Sequence, residues 1–215
     1  MSQGAAQDSM YDAGVIPVIV LDHADAADDL AQSLIAGGVT AAEVTFRTDA
    51  APDAIRRMSR YDDLLVGAGT VLTPEQVDLA ADAGARFIVS PGLSVSVVQR
   101  AQERGLAVLP GVITPTEIMQ ALSLGLEVLK FFPASVYGGV DAIKSFASPF
   151  GSARFVPTGG VSVDNMGDYL ALSNVAAVGG TWMVKPALIS AGEFDRIAEL
   201  SRAAVERAAT LRMEA

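Results

Sequence analysis

Lys130 is one of three lysines in a 215-residue chain, flanked by Leu126-Glu-Val-Leu129 before it and Phe131-Phe132-Pro133-Ala134 after it. An ammonium at the end of an apolar, strand-like run either snorkels to solvent or is desolvated among aromatics. Desolvation favours the neutral amine, a nucleophile toward carbonyl carbons. Only roughly one unperturbed lysine in a few thousand is neutral at pH 7, so such chemistry needs a lowered proton affinity. Lys144 and Lys185 lie in ordinary helix and loop contexts, and charge elsewhere is carried mostly by Asp, Glu and Arg.

A second group of candidates is Glu43-Val-Thr-Phe-Arg47-Thr48. Strand alternation puts Glu43, Thr45 and Arg47 on one face. The pair is either a strand-end ion pair or a carboxylate and a guanidinium entering one cavity, where Arg47 also disfavours charge on a nearby lysine. Amine chemistry at a carbonyl further needs a proton carrier, and Glu43 is the carboxylate placed to serve. Gly67-Ala-Gly-Thr70 and Ser90-Pro91-Gly92 put small residues at run ends, where a ligand can approach the backbone. Thr70 is either a donor to a carboxylate or carbonyl, or part of a plain turn. Paired glycines follow two later runs, at Thr158-Gly159-Gly160 and Gly179-Gly180-Thr181. Two such pairs ahead of helix starts predict an N–H cradle for a phosphate. His23, beside Asp22, reads as a polar helix start with Asp22 as N-cap. Trp182 either lines the pocket mouth or packs beneath the last helix.

These residues sit on a regular rhythm. Apolar or β-branched runs recur at 15–21, 42–46, 64–67, 86–89, 107–109, 127–131, 154–156 and 175–178. Their starts are roughly 20–27 residues apart, the length of one strand plus one helix. Thr73-Pro-Glu-Gln76 and Thr114-Pro-Thr-Glu117 are helix starts, and Ser162 is placed to cap a helix at Val163-Asp164. Gly37-Gly38, Gly84, Gly105 and Gly125 mark helix ends. The last segment, 193–212, is amphipathic, with Glu193/Arg196 and Glu199/Arg202 spaced to pair. About eight units without a dinucleotide fingerprint after the first run predict an α/β fold of the (β/α)8 TIM-barrel type, one domain over 15–215 after an extension at 1–14. Active sites of such barrels form at the C-terminal strand ends, where the candidate residues fall.

Composition bounds the partners. The net charge is −10 and the sequence pI about 4.5, which argues against nucleic acid and anionic membranes. Attraction of an anionic ligand must then come from a few local cations and N–H groups. With no Cys and one His, disulfides, thiolate metal sites and His-rich zinc sites are excluded. Hydrophobic residues make up 51% and mean hydropathy is +0.38, compatible with apolar surface used in an oligomer. The polar start Met1–Asp12 and the short run 15–21 with Pro17 are neither signal peptide nor membrane span, so the cytoplasm is the expected location.

Together, Glu43-Val-Thr-Phe-Arg47-Thr, Gly67-Ala-Gly-Thr70-Val, Ser90-Pro91-Gly92, Leu109-Pro-Gly-Val-Ile-Thr-Pro-Thr-Glu117, Lys130-Phe-Phe-Pro133-Ala and Pro157-Thr-Gly-Gly160-Val resemble the 2-keto-3-deoxy-6-phosphogluconate (KDPG) aldolases. These are class I, lysine-dependent enzymes of the Entner–Doudoroff route, similar to the 4-hydroxy-2-oxoglutarate aldolases. The resemblance implies a homotrimeric barrel acting on a phosphorylated keto acid, with Lys130 as the Schiff-base amine and Glu43 as general acid/base. It implies neither a metal nor an organic cofactor. It further implies that Arg47 and Thr70 hold the pyruvyl carboxylate, with Pro91 and Phe132 shaping its pocket. Gly159, Gly160, Gly180 and Thr181 would receive the 6-phosphate. Thr181 departs from a Ser common in the family, keeping the hydroxyl and adding a methyl group. Thr158 leans the expectation toward the gluco substrate over its galacto-epimer. The alternatives are an aldolase for that epimer or for 4-hydroxy-2-oxoglutarate, a phosphosugar isomerase or epimerase, and a non-catalytic phosphosugar-binding barrel.

Overall fold

A computed structural model describes residues 14–214, and the rest of the predicted N-terminal extension lies outside the described residues. Strand and helix alternate through β1 (Val15–Ile19), α1 (Ala27–Ala36), β2 (Ala41–Thr45), α2 (Ala51–Met58), β3 (Leu65–Gly69) and α3 (Pro74–Asp82). They continue through β4 (Phe87–Ser90), α4 (Val95–Glu103), β5 (Ala107–Val112), α5 (Pro115–Ser123), β6 (Val128–Phe131) and α6 (Gly139–Phe146). The chain ends with β7 (Arg154–Pro157), α7 (Met166–Leu170), β8 (Val178–Gly180), α8 (Pro186–Ser190) and α9 (Phe194–Glu214). All strand pairs are parallel, in the order β7-β6-β5-β4-β3-β2-β1-β8. Isolated bridges Phe155–Val175 and Thr158–Gly179 bring β7 to the β8 side and complete the predicted (β/α)8 barrel.

Local chemistry fixes several of the helices. The Thr73 hydroxyl accepts from the Gln76 N–H at the start of α3. At α5, Thr114 and Glu117 form a reciprocal capping box. Burial opposes charge on Glu117, but hydrogen bonds from the Ile113 and Thr114 amides and the Thr114 hydroxyl hold its carboxyl below the ordinary range. The glycines Gly38, Gly84, Gly105 and Gly125 follow α1, α3, α4 and α5 with positive φ, as expected of helix stops. Three expectations shift. Ser162 accepts from the Asp164 N–H in a turn, and α7 opens only after Asn165. Asp22 is not an N-cap: a short 3₁₀ turn at Ala24–Ala26 begins after His23 with no side-chain cap. Along α9, Glu199 pairs with Arg196 at 2.8 Å, while Arg202 donates to the Ala36 carbonyl that ends α1.

Alternation sorts each strand into an outer and an inner face. Outward residues such as Ile19, Val44, Val66, Ile88, Val108, Leu129 and Phe155 join the core shared with the helices. A second apolar cluster, including Ile16, Ala41, Leu65, Phe87, Leu109 and Val128, fills the lower barrel. Above it the inward positions turn polar or vanish, and there the functional groups collect.

Candidate active site

β6 carries Val128 and Lys130 on its inner face and Leu129 and Phe131 on its outer face. Phe131 is wedged edge-on against Phe146 of α6 and Phe155 of β7, at centroid distances of 6.2 and 6.3 Å. This aromatic clamp fixes the strand from outside and so sets where the lysine projects. Lys130 is 4% exposed and stands beside Gly111 and Val156 in the strand register. Of its two readings, burial is the one realised.

Its partner comes from 87 residues away: both carboxylate oxygens of Glu43 lie 3.3 Å from Nζ. Glu43 is itself only 3% exposed. Burying two charges is costly unless they meet, and the strands hold them at hydrogen-bond reach. The carboxylate has room because β3 offers no side chain opposite it: a Cβ on Gly69 would fall 2.0 Å from Glu43 Oε1. The small residues of Gly67-Ala-Gly69 were expected to admit a ligand. Instead, Phe87 occupies the space at Gly67 and Glu43 that at Gly69.

Around the pair, Phe132 sets its ring 5.1 Å from Lys130 Nζ, a cation–π distance. Pro91 bends over β5, its carbonyl lying where a Cβ on Gly111 would need to be, and the Ser90 hydroxyl secures that turn through the Gly92 carbonyl. Thr70 closes β3 with φ +57, an uncommon backbone for a β-branched residue. Arg47 departs from the expected alternation. β2 ends at Thr45, whose hydroxyl bonds the Ile19 carbonyl, and the chain then turns. Arg47 is exposed in that turn and pairs with neither Glu43 nor any other carboxylate among the described residues.

The two glycine pairs also differ. Gly159 and Gly160 form a loop after β7 with φ of +89 and +81. Gly179 and Gly180 belong to β8, which begins three residues later than the predicted run at 175. Their missing side chains make way for the Thr158 hydroxyl and the Trp182 ring. Thr158 is buried, Thr181 is exposed just past β8, and the Thr158–Gly179 bridge sets both strand ends side by side. Trp182 is half-buried against the core. Asn165 escaped the sequence reading altogether: its side chain bonds the Gly160 carbonyl and the Ser162 amide. An amide five residues beyond a double glycine, just before a helix, was the available signal.

A cleft of about 640 Å³ lined by Tyr61, Asp62, Asp63 and Arg86 lies toward the strand N-termini and holds none of these groups. Among the described residues no cluster of three His, Cys, Asp or Glu is placed to hold a metal ion, and no helix is long and apolar enough to cross a membrane. The arrangement offers a buried amine, a carboxylate able to exchange protons with it, and an N–H-bearing loop nearby.

A family model described as KDPG and KHG aldolase matches residues 6–200. The chain is 46% identical over 195 residues to the KHG/KDPG aldolase of Escherichia coli strain K12, covering 90% of this chain and 92% of that one. It is 45% identical over 192 residues to the 2-dehydro-3-deoxy-phosphogluconate aldolase of Dickeya dadantii, covering 89% and 90%. Its fold matches, with a TM-score of 0.89 and 38% identity over 95% of this chain and 98% of that one, the KDPG aldolase of Legionella pneumophila with pyruvate captured as a covalent carbinolamine.

Proposed function

The chain belongs to the KDPG and KHG aldolase family, and from that premise we propose that it reversibly cleaves 2-dehydro-3-deoxy-6-phosphogluconate to pyruvate and glyceraldehyde 3-phosphate through an imine on Lys130. The carrying observation is the buried Lys130–Glu43 pair at 3.3 Å. Glu43 takes a proton from Nζ, and the amine attacks C2 of the keto acid. The C2 oxygen collects protons through Glu43 and leaves as water, giving the protonated imine. Glu43, again a carboxylate, takes the C4 hydroxyl proton. The C3–C4 bond breaks, its electrons pass through C3 toward the iminium nitrogen, and the aldehyde departs. Protonation of the enamine at C3 and addition of water release pyruvate and restore the amine. Each proton Glu43 accepts it later returns.

Arg47 and Thr70 at the rim are assigned to the pyruvyl carboxylate, with Pro91 and Phe132 as its walls. Gly159 and Gly160, with Gly180 and Thr181 across the strand gap, take the 6-phosphate. The gluco substrate is favoured by Thr158, whose hydroxyl stands at the base of that loop, and by the phosphogluconate-named relatives. A cytoplasmic homotrimer is the assembly and location the family implies. Exposed apolar residues such as Leu72, Met119 and Val136 support self-association, and sedimentation should give three times the 22.2 kDa chain mass.

Incubation with pyruvate and borohydride should place a reduced three-carbon adduct on Lys130, read by peptide mass spectrometry. Labelling elsewhere, or none, sinks the imine. Glu43→Gln should still bind pyruvate while kcat drops about 100-fold or more; an unchanged kcat removes Glu43 as the proton carrier. Comparing kcat/KM on the gluco, galacto and non-phosphorylated keto acids decides the substrate.

A further inference from the structure

We propose that Asn165 is a positioning residue that sets the enzyme's preference for phosphorylated over non-phosphorylated substrate, by locking the peptides of the Gly159-Gly160 loop with their N–H groups toward the ligand. The proposal rests on the phosphate reading of that loop given above.

Three successive carbonyls leave the end of β7, and each is tied back by a donor from the protein. The Ala134 amide takes that of Thr158 at 2.8 Å, and the Ser135 amide takes that of Gly159 at 3.1 Å. The third, of Gly160, is held by the Asn165 side-chain Nδ2 at 2.9 Å. In a planar trans peptide the C=O and the following N–H point in opposite directions. Tying the carbonyls of Gly159 and Gly160 therefore turns the amides of Gly160 and Val161 to the other side. Neither amide donates to a protein acceptor among the described residues. Two adjacent, unspent N–H groups at the barrel mouth suit an anion.

The third tie differs from the others in being a side chain, and so can be removed without altering the backbone. Without it the Gly160–Val161 peptide has little to hold it, because Gly159 and Gly160 both adopt positive φ and tolerate rotation. Gly160 cannot be stiffened by a side chain, since Ser135 fills the space a Cβ would need. Asn165 is itself oriented, because its Oδ1 accepts from the Ser162 amide at 2.8 Å. The amide bridges the loop it locks and the turn that leads into α7. Lys130 and Glu43 take no part in this network, so the chemical step is spared.

Steady-state kinetics of wild type, Asn165→Ala and Asn165→Asp on 2-dehydro-3-deoxy-6-phosphogluconate and on 4-hydroxy-2-oxoglutarate test the proposal. KM for the phosphorylated acid should rise about ten-fold in Asn165→Ala, the scale of one lost hydrogen bond. Asn165→Asp keeps the acceptor for Ser162, loses the donor and sets a carboxylate against the Gly160 carbonyl, so its KM should rise further. Neither variant should change kcat on either acid, or KM for the non-phosphorylated one, and inhibition of that reaction by inorganic phosphate should weaken in parallel. Equal losses on both acids, or none on the phosphorylated one, overturn the proposal. It also falls if neither variant folds, since Asn165 is then a structural tie alone. A wild type that neither prefers the phosphorylated acid nor responds to phosphate overturns the cradle itself, an outcome visible before any variant is made.

Discussion

The floor and the mouth of this barrel are built on the same strands by opposite rules. On the floor, inward positions are filled: Phe87, wholly buried, occupies the gap left by Gly67, and Ile16, Leu65, Leu109 and Val128 pack around it. At the mouth, two positions higher on β2 and β6, the inward residues are Glu43 and Lys130, and the strands beside them carry Gly69 and Gly111. The floor gains stability from apolar burial. The mouth spends burial on charges and on backbone that must remain bare. The difference teaches that one scaffold separates its two tasks by depth, with the boundary falling within a single strand.

Exchanging the rules at the mouth gives the largest effect. Glu43→Leu with Lys130→Met removes both charges together, so activity should vanish while denaturant unfolding shows stability unchanged or raised by about 1–4 kcal/mol. A large loss of stability there would show that the pair also holds the barrel together. Next comes the floor: Phe87→Ala should cost about 3–5 kcal/mol in the same experiment, with kcat of the folded enzyme close to wild type. A collapse of kcat in a protein that remains folded would erase the division by depth. The smallest effect sharpens it. Glu117 is a polar group at the mouth with a structural task, and Glu117→Ala should cost about 1 kcal/mol at neutral pH. Its carboxyl is held below the ordinary range in the folded state, so its contribution is complete above about pH 4.3 and fades as pH falls through the depressed folded value. The gap between wild type and variant should therefore close on acidification, and a constant gap would assign the cost to packing instead.

Periodicity carried much of this into the sequence. The strand–helix rhythm and the Thr73 and Thr114 caps are local signals, and the folded chain honours them. Val175-Ala-Ala-Val178 predicts a strand by composition, whereas β8 itself ends in two glycines, residues that strands usually avoid. Arg47 leaves the expected strand alternation because β2 ends at Thr45, where the Thr45 and Thr48 hydroxyls bond the carbonyls of Ile19 and Leu21 and the chain turns. The meeting of Glu43 with Lys130 has no local signal at all. It exists only because the strands curl round to bring β2 opposite β6. The same holds for Asn165, whose partners become partners only once the loop has closed.

The join between β7 and β8 is secured by isolated bridges rather than by a continuous ladder. An open barrel would part there first, since fewer backbone bonds resist it. The proposed phosphate site straddles that join, with Gly160 on one bank and Thr181 on the other. Ligand occupancy and closure of the cylinder are then thermodynamically linked, each favouring the other by the same free energy. Substrate is in that sense a ninth stave, present only while the reaction lasts.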